Sequence, residues 1–268
     1  MIELIPFDDT ITSIKTAAGQ DGNPIVWVYA YKIGKVLFDA GCANAISDLR
    51  SRGIGSQIDR VYLTHEHEDH VGSCSYFARD ASVYAPKATI EYMKNPSDYG
   101  EFFRFVWGQP EAVVDIKSMP SKFSIGEHEF NVIPLPGHGK EMVGFYDEKD
   151  GWLFSADAVP PQSKKKIAMN DENIPQMIST MEKLLKLDIK VLFDSHRGPI
   201  SSPQEHIKVR IEHLKDMRAK AKALNEEGKS ESEIEKALDL EGPWYLEYTR
   251  GRFGIDLFVK SLLFDKEA

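Results

Sequence analysis

The sequence contains few cysteines. Only Cys42 and Cys74 are present among its 268 residues. Cys74 lies in a segment that has the pattern of an amphipathic helix, and a cysteine in such a position is usually a small buried side chain. We therefore expect two free, buried thiols and no disulfide bond.

The sequence also lacks an excess of positive charge. Lys and Arg total 33 against 42 Asp and Glu, which gives a formal net charge of −9. Proteins that bind nucleic acids neutralise phosphates with clustered basic residues. The acidic balance therefore argues against a nucleic-acid partner.

Neither a transmembrane run nor a leader is recognisable in the sequence. The first nine residues contain no basic segment followed by an apolar one, as a secretory signal would. We therefore expect a cytoplasmic protein with no membrane partner. A chain of 268 residues can bury a large core as one domain, or as one domain plus an extension.

What the sequence does contain is a dense group of possible metal ligands. Residues 64–70 read Thr-His-Glu-His-Glu-Asp-His and directly follow a short apolar run. Residues two apart in an extended chain point the same way, so His65 and His67 can bind one ion. Asp69 and His70, around the next bend, can serve a second ion. Imidazole and carboxylate are ligands that zinc and similar metals prefer, so this cluster predicts a metal centre.

The pattern of an apolar strand ending in a His or Asp recurs three times later in the chain. The residues at these three ends are His138, Asp157 and His196. Ligands at strand ends are held on a rigid scaffold. Each has an alternative structural interpretation, since Asp157 could cap a turn and His196 could be a buried, hydrogen-bonded imidazole. Taken together, they favour further ligands.

These residues resemble the signature of the metallo-β-lactamase superfamily, His-x-His-x-Asp-His, and the later candidates follow in the family's order. The resemblance covers about residues 1–200. It implies an α/β fold, a four-layer αββα sandwich. It also implies a first metal held by His65, His67 and His138, a second held by Asp69, His70 and His196, and a bridge between them at Asp157.

The segment 201–268 has a different character from the rest of the chain. Ser202 and Ser230 each precede a Glu by three residues, which is the pattern of a helix-capping box. Apolar residues then recur at helical spacing. We predict a catalytic domain over 1–200 and a helical C-terminal extension over 201–268.

The charges of the implied site predict its chemistry. Two divalent cations outweigh the two carboxylates of Asp69 and Asp157, so the site can hold hydroxide. Metal binding lowers the pKa of water from about 15.7 to about 7, and two metals can stabilise both attacking and leaving atoms. We expect a hydrolase of small thioesters, esters or lactones in which a bridging hydroxide attacks a carbonyl. Asp69 is the candidate catalytic residue, since it could orient the hydroxide or carry its proton.

The metals are expected to be two zinc ions, with iron or manganese as alternatives. Two other functions stay open: an iron-dependent oxidoreductase similar to the sulfur dioxygenases of the superfamily, and a non-catalytic metal-binding protein. Ligating imidazoles need partners for their second ring nitrogen. Asp39, Thr64 and Ser155 are candidates for that role.

The expected partner is a small-molecule substrate, and the sequence gives no indication of an oligomeric state. Lys140 and Arg197 directly follow His138 and His196, so we expect them to contact an anionic group of the substrate. The run of lysines at 164–166 could also meet a substrate carboxylate or phosphate, but such a run is more typical of a solvated surface. The surroundings of His138 lack the Thr-rich stretch usual in glyoxalase II-like thioesterases, which argues against hydroxyacylglutathione as the substrate.

Two aromatic segments have both a structural and a functional interpretation. Residues 99–107 could form a lid over the site or pack in the core. Aromatic residues also surround Arg250 and Arg252 after Pro243. That segment could contact the substrate or anchor the C-terminus to the main domain.

Overall fold

The computed structural model describes residues 1–20 and 23–264. In this part of the chain two β-sheets face each other, with helices on the outer side of each. The first sheet has the spatial order β1 to β7: Ile2–Pro6, Ile11–Gln20, Asn23–Ile33, Val36–Phe38, Arg60–Tyr62, Ser82–Ala85 and Ile116–Ser118. Strands β1 to β4 pair antiparallel and β4 to β7 pair parallel.

The second sheet contains the strands that carry the later ligand candidates. In chain order these are β8 Lys122–Ile125, β9 His128–Pro134, β10 Val143–Asp147, β11 Trp152–Ala156, β13 Val191–Asp194 and β14 Gly198–Ile200. Their spatial order is β14-β13-β11-β10-β9-β8. A small antiparallel pair joins β12 Ala168–Met169 to β15 Phe253–Gly254, which links the C-terminal segment to the main body.

The helices are short before the second sheet and longer after it. They are α1 Ile46–Ser51, α2 Glu68–Val71, α3 Cys74–Phe77, α4 Lys87–Lys94, α5 Glu101–Val106, α6 Ile174–Leu184, α7 Pro203–Glu226, α8 Glu231–Ala237 and α9 Ile255–Leu263. Short 3₁₀ segments lie at Ala43–Ala45, Gly55–Gln57 and Trp244–Thr249. None of the helices in the described residues has the length and apolar character needed to span a bilayer.

Aromatic side chains fill the space between the two sheets. Phe38 of β4 lies with its ring centroid 4.7 Å from that of Phe145 and 4.7 Å from that of Phe154. All three side chains are almost completely buried. The alternation of β-strand side chains explains this layer, because every second residue of a strand points to the same face.

Two further apolar clusters lie on the outer faces of the sheets. Leu49 and Phe77, from the helical segments after β4 and β5, pack with Val61 of the first sheet. Met181 of α6 packs with Leu192 of the second sheet, in a cluster that also contains buried residues of α7, α8 and α9. The predicted αββα sandwich is therefore confirmed.

The C-terminal helices share the apolar cluster of the second sheet rather than forming a core of their own. The boundary predicted at residue 200 stays a prediction. The capping box at Ser230 is formed with Glu233. Ser202 is also at the N-cap of its helix, as expected, but the capping box predicted there is wrong because the Ser202 side chain makes no capping hydrogen bond. Cys42 and Cys74 are free and buried, as expected.

Gly72 lies where α2 ends beside the first 3₁₀ segment, and there is no room for a side chain. A Cβ atom there would lie 2.3 Å from the Ala43 backbone nitrogen and 2.5 Å from the Glu68 carbonyl oxygen. We predict that Gly72→Ala lowers the free energy of unfolding by about 3 kcal/mol or more, because two backbone segments must separate. Urea denaturation would measure this.

Gly53→Ala is the matched control. Gly53 has a positive φ of 63°, but no heavy atom lies within 4 Å of its added Cβ. Only backbone strain of about 1 to 2 kcal/mol is expected there. Equal losses in the two variants would contradict the close packing around Gly72.

Candidate metal centre

The seven predicted ligands come from four separate segments that meet at one edge of the sandwich. His65 and His67 follow β5, and Asp69 and His70 lie in α2. The later candidates, His138, Asp157 and His196, follow β9, β11 and β13. Strands β11 and β13 are parallel neighbours, so their carboxyl ends lie side by side. The topology thus brings together side chains that are far apart in the sequence.

Three imidazoles form the first cluster. The Nδ1 atom of His67 lies 3.1 Å from Nε2 of His65 and 2.9 Å from Nε2 of His138. These three nitrogens converge on one point and could hold a metal ion. Three histidines are a common ligand set for zinc.

Two carboxylates and two imidazoles form the second cluster. Oδ2 of Asp69 lies 3.8 Å from Nε2 of His70 and 3.6 Å from Nε2 of His196. Oδ1 of Asp157 lies 3.4 Å from Nε2 of His70. These four side chains could hold a second ion.

Asp157 connects the two clusters. Its Oδ2 atom lies 3.3 Å from Nε2 of His138 in the first cluster and 3.2 Å from Nε2 of His196 in the second. Its other oxygen, Oδ1, and Nε2 of His70 are buried without a hydrogen-bond partner. Buried polar atoms are rarely left unsatisfied, so this arrangement fits a site built around cations.

The pKa values of His65 and His196 depend on the charges nearest to them. Burial and the neighbouring His70 and His67 hold the pKa of His65 well below its usual value, so its imidazole is neutral, as a metal ligand must be. Burial also disfavours charge on His196, but Asp157 and Asp69 outweigh it and raise the pKa of His196 to about 9. The carboxylates of the second cluster thus favour a positive charge beside them.

Asp39, which directly follows β4, orients His65 and His70 of the metal motif. Asp39 accepts hydrogen bonds from the Thr64 hydroxyl, at 2.9 and 3.0 Å, and from Nδ1 of His70, at 2.8 Å. The Thr64 oxygen in turn lies 2.9 Å from Nδ1 of His65. Asp39 and Thr64 therefore have the orienting role that the sequence suggested. Ser155 instead donates to the carbonyl oxygen of Ala156 at 3.4 Å.

Glu172 orients His138 and was missed by the sequence interpretation. Its Oε1 atom accepts a 2.8 Å hydrogen bond from Nδ1 of His138, and its Oε2 atom lies 2.9 Å from Nζ of Lys165. Burial opposes ionisation of Glu172, but Lys165 and His138 outweigh it and lower its pKa to about 2. Lys165, expected on a solvated surface, is instead largely buried against this carboxylate.

A second buried ion pair joins the metal motif to the C-terminal segment. Glu68, between His67 and Asp69, accepts two hydrogen bonds from the Arg252 guanidinium, one of them 2.8 Å long. The guanidinium also lies over the ring of Tyr99, 3.6 Å from its centroid. Bidentate Arg–carboxylate pairs hold geometry well. The contacts of Arg252 with Glu68 and Tyr99 thus hold the segment that carries the first four ligands in place.

A cleft with a cavity volume of about 140 Å³ lies against both clusters. Its lining in the described chain includes neither Lys140 nor Arg197, and both residues are exposed. The Arg197 guanidinium donates a 2.8 Å hydrogen bond to the Pro161 carbonyl at the cleft's edge. The expected contact of these two side chains with substrate therefore has no support from the shape of the cleft.

Most of the chain matches a single protein family. Residues 21–196 match the model of the metallo-beta-lactamase superfamily, and the chain belongs to that superfamily. A metallo-beta-lactamase family protein from Thermus thermophilus has the same fold, with a TM-score of 0.69 over 96% of this chain and 94% of its own, at 16% identity.

Relatives at the sequence level are distant. A protein named beta-lactamase-like protein 2 homolog, from Caenorhabditis elegans, is 26% identical over 78% of this chain and 68% of its own length. A hydroxyacylglutathione hydrolase from Bdellovibrio bacteriovorus is 29% identical over 59% of this chain. The matched region spans 52% of that hydrolase.

The two clusters predict the metal content of the protein and of its variants. Protein loaded with zinc should carry close to two ions per chain. His138→Ala removes a ligand of the first cluster only, and His196→Ala a ligand of the second, so each should lose about one ion. Metal analysis by mass spectrometry would test this, and retention of both ions by either variant would show that its residue is wrongly assigned.

Breaking the Glu68–Arg252 pair should loosen the metal motif. Arg252→Met leaves the Glu68 carboxylate buried and unpaired, which we expect to cost about 3 to 5 kcal/mol of stability and to weaken zinc binding. Thermal denaturation and zinc competition would measure both effects. Arg250→Met is the matched control, since Arg250 is exposed and its loss should change stability by less than about 0.5 kcal/mol. Unchanged stability and zinc affinity in Arg252→Met would refute the holding role.

Proposed function

We propose that the protein is a dinuclear metal-dependent hydrolase of a small thioester, ester or lactone. The observation that carries the proposal is the position of Asp157, whose carboxylate contacts the first and the second cluster at 3.3 and 3.2 Å. A carboxylate shared in this way suits two ions held close together. Two divalent ions bound there would supply Lewis acidity toward a carbonyl oxygen and would lower the pKa of water.

The protein's own residues have three roles in this proposal. His65, His67 and His138 hold the first ion, and Asp69, His70 and His196 hold the second, with Asp157 between them. Asp69 also lines the cleft, so its carboxylate is placed to accept the proton of an attacking water and pass it to the leaving group. Asp39 and Glu172 fix the imidazole orientations, which keeps the ligand nitrogens aimed at the ions.

The relatives support hydrolysis as the reaction. The Bdellovibrio protein is named a hydroxyacylglutathione hydrolase, and a protein from Bacillus subtilis that is 23% identical over 59% of this chain is named a probable metallo-hydrolase. Zinc as the metal and the cytoplasm as the location are parts of the proposal. Two zinc ions with ester hydrolysis would support it, whereas iron with oxygen uptake would favour the oxidoreductase alternative.

Asp157→Ala tests the bridging role. Because this carboxylate contacts both clusters, its loss should weaken both ions together and lower kcat/KM for ester hydrolysis at least 1000-fold, about 4 kcal/mol. Metal analysis and initial rates with a p-nitrophenyl ester would measure the two effects. Asp59→Ala is the control, since Asp59 is an exposed carboxylate paired with Lys35. Near-normal turnover by an Asp157→Ala variant that still binds two ions would contradict the proposed bridging role.

A further inference from the structure

Aromatic rings form one wall of the cleft beside the metal clusters. The wall combines Phe103 and Trp107, from α5 and its end, with Tyr245 and Phe253 of the C-terminal segment. The rings of Phe103 and Phe253 stack with centroids 6.2 Å apart. The wall is thus shared by the two aromatic segments of the sequence, and it faces the cleft rather than only packing in the core.

Apolar side chains also line the cleft near Glu172. Met169 and Met177 line it and are almost completely buried, and Ile167 also lines it. A cavity of about 150 Å³ lined by apolar side chains has room for one benzene molecule. The cleft is of comparable size, at about 140 Å³, and is apolar on the side away from the metal clusters, so that side suits a small apolar group.

The two cations that line the cleft are both neutralised by buried carboxylates. The side chain of Lys165 is 12% exposed and its partner Glu172 is 1% exposed. Arg252 is 14% exposed and its partner Glu68 is 4% exposed. Apart from the histidines assigned to the metals, no other basic side chain lines the cleft in the part of the chain that the structure describes.

Away from the metal clusters, this charge distribution leaves no free cation among the described lining residues for an acidic group on the acyl portion of a substrate. A carboxylate placed against the aromatic wall would lose its hydration without gaining a partner, which is costly. Taking Arg252 as the partner would leave Glu68 buried and unpaired, which is costly as well. Taking Lys165 would likewise remove the only Lys or Arg that is paired with the buried Glu172 in the described chain. A site can thus discriminate against a substrate by leaving its charged group without a partner, as well as by binding the preferred substrate.

We propose that the substrate is a small, neutral ester, thioester or lactone whose acyl portion is apolar and packs on the aromatic wall. This inference rests on the proposed function and names its substrate class. In the reaction, water adds to the acyl carbon and the bond from that carbon to oxygen or sulfur breaks. The leaving alcohol or thiol takes one of the water's protons, so no oxidant or reductant is needed.

The first test compares two esters of p-nitrophenol with the zinc-loaded protein. The butyryl ester has a neutral acyl chain, and the succinyl ester has a chain of the same length that ends in a carboxylate. We expect kcat/KM to be at least tenfold higher for the butyryl ester. Equal rates, or a preference for the succinyl ester, would overturn the inference while leaving the hydrolase proposal intact. Hydrolysis of neither ester, nor of a matching thioester or lactone, would instead refute the proposed function itself and the inference with it.

The second test alters the wall and the charge of the cleft. Tyr245→Ala should lower kcat/KM for the butyryl ester about tenfold, mainly through KM, whereas Tyr245→Phe keeps the ring and should change it less than twofold. Gln162 lines the cleft and is exposed, so Gln162→Arg should raise kcat/KM for the succinyl ester at least fivefold at low salt. Ser163→Arg adds the same charge one residue away, outside the lining, and should have a smaller effect.

The third test does not depend on catalysis. Saturation-transfer NMR with the metal-free protein should show binding of butyramide, which Tyr245→Ala should reduce, and a weaker signal from succinamate. Equal signals from the two amides, or a butyramide signal that Tyr245→Ala leaves unchanged, would contradict the apolar wall as the binding surface.

Discussion

The rest of the site depends on the carboxylate of Asp157. Its oxygens contact three imidazoles, those of His138, His70 and His196, which come from three different segments of the chain. A buried anion in this position needs positive charge around it. The clustering of ligands at one edge of the sandwich therefore has an electrostatic reason as well as a topological one.

Two further buried carboxylates extend this arrangement away from the clusters. Glu172 links His138 to Lys165, and Glu68 links the metal motif to Arg252. Each pair fixes a side chain or loop near the clusters while removing a free positive charge from the cleft. In the substrate class that we propose, the same contacts that hold the ligands in place also determine which substrates fit the cleft.

The C-terminal segment belongs to this site in a way that its helical pattern does not reveal. Its helices share the apolar cluster of the second sheet. Strand β15 pairs with β12, just before Glu172. Arg252 and Phe253 are thereby held beside the ligands. The segment consequently anchors the C-terminus to the main body and forms part of the cleft's wall. Its contact with a substrate stays a prediction.

The sequence by itself determined the seven ligand candidates, because they depend on local patterns: strand ends and histidines at fixed spacing. The family and its αββα fold followed from the resemblance that these residues carry. It also suggested Asp39 and Thr64, which lie next to those strand ends. Only the tertiary structure decided that Glu172 and Arg252 support the site, and that Lys140 and Arg197 lie outside the cleft. The reason is physical. Ion pairs such as Glu68 with Arg252 join residues 184 positions apart, so no local pattern encodes them. Whether a side chain points into a cleft depends on how separate layers of the fold pack.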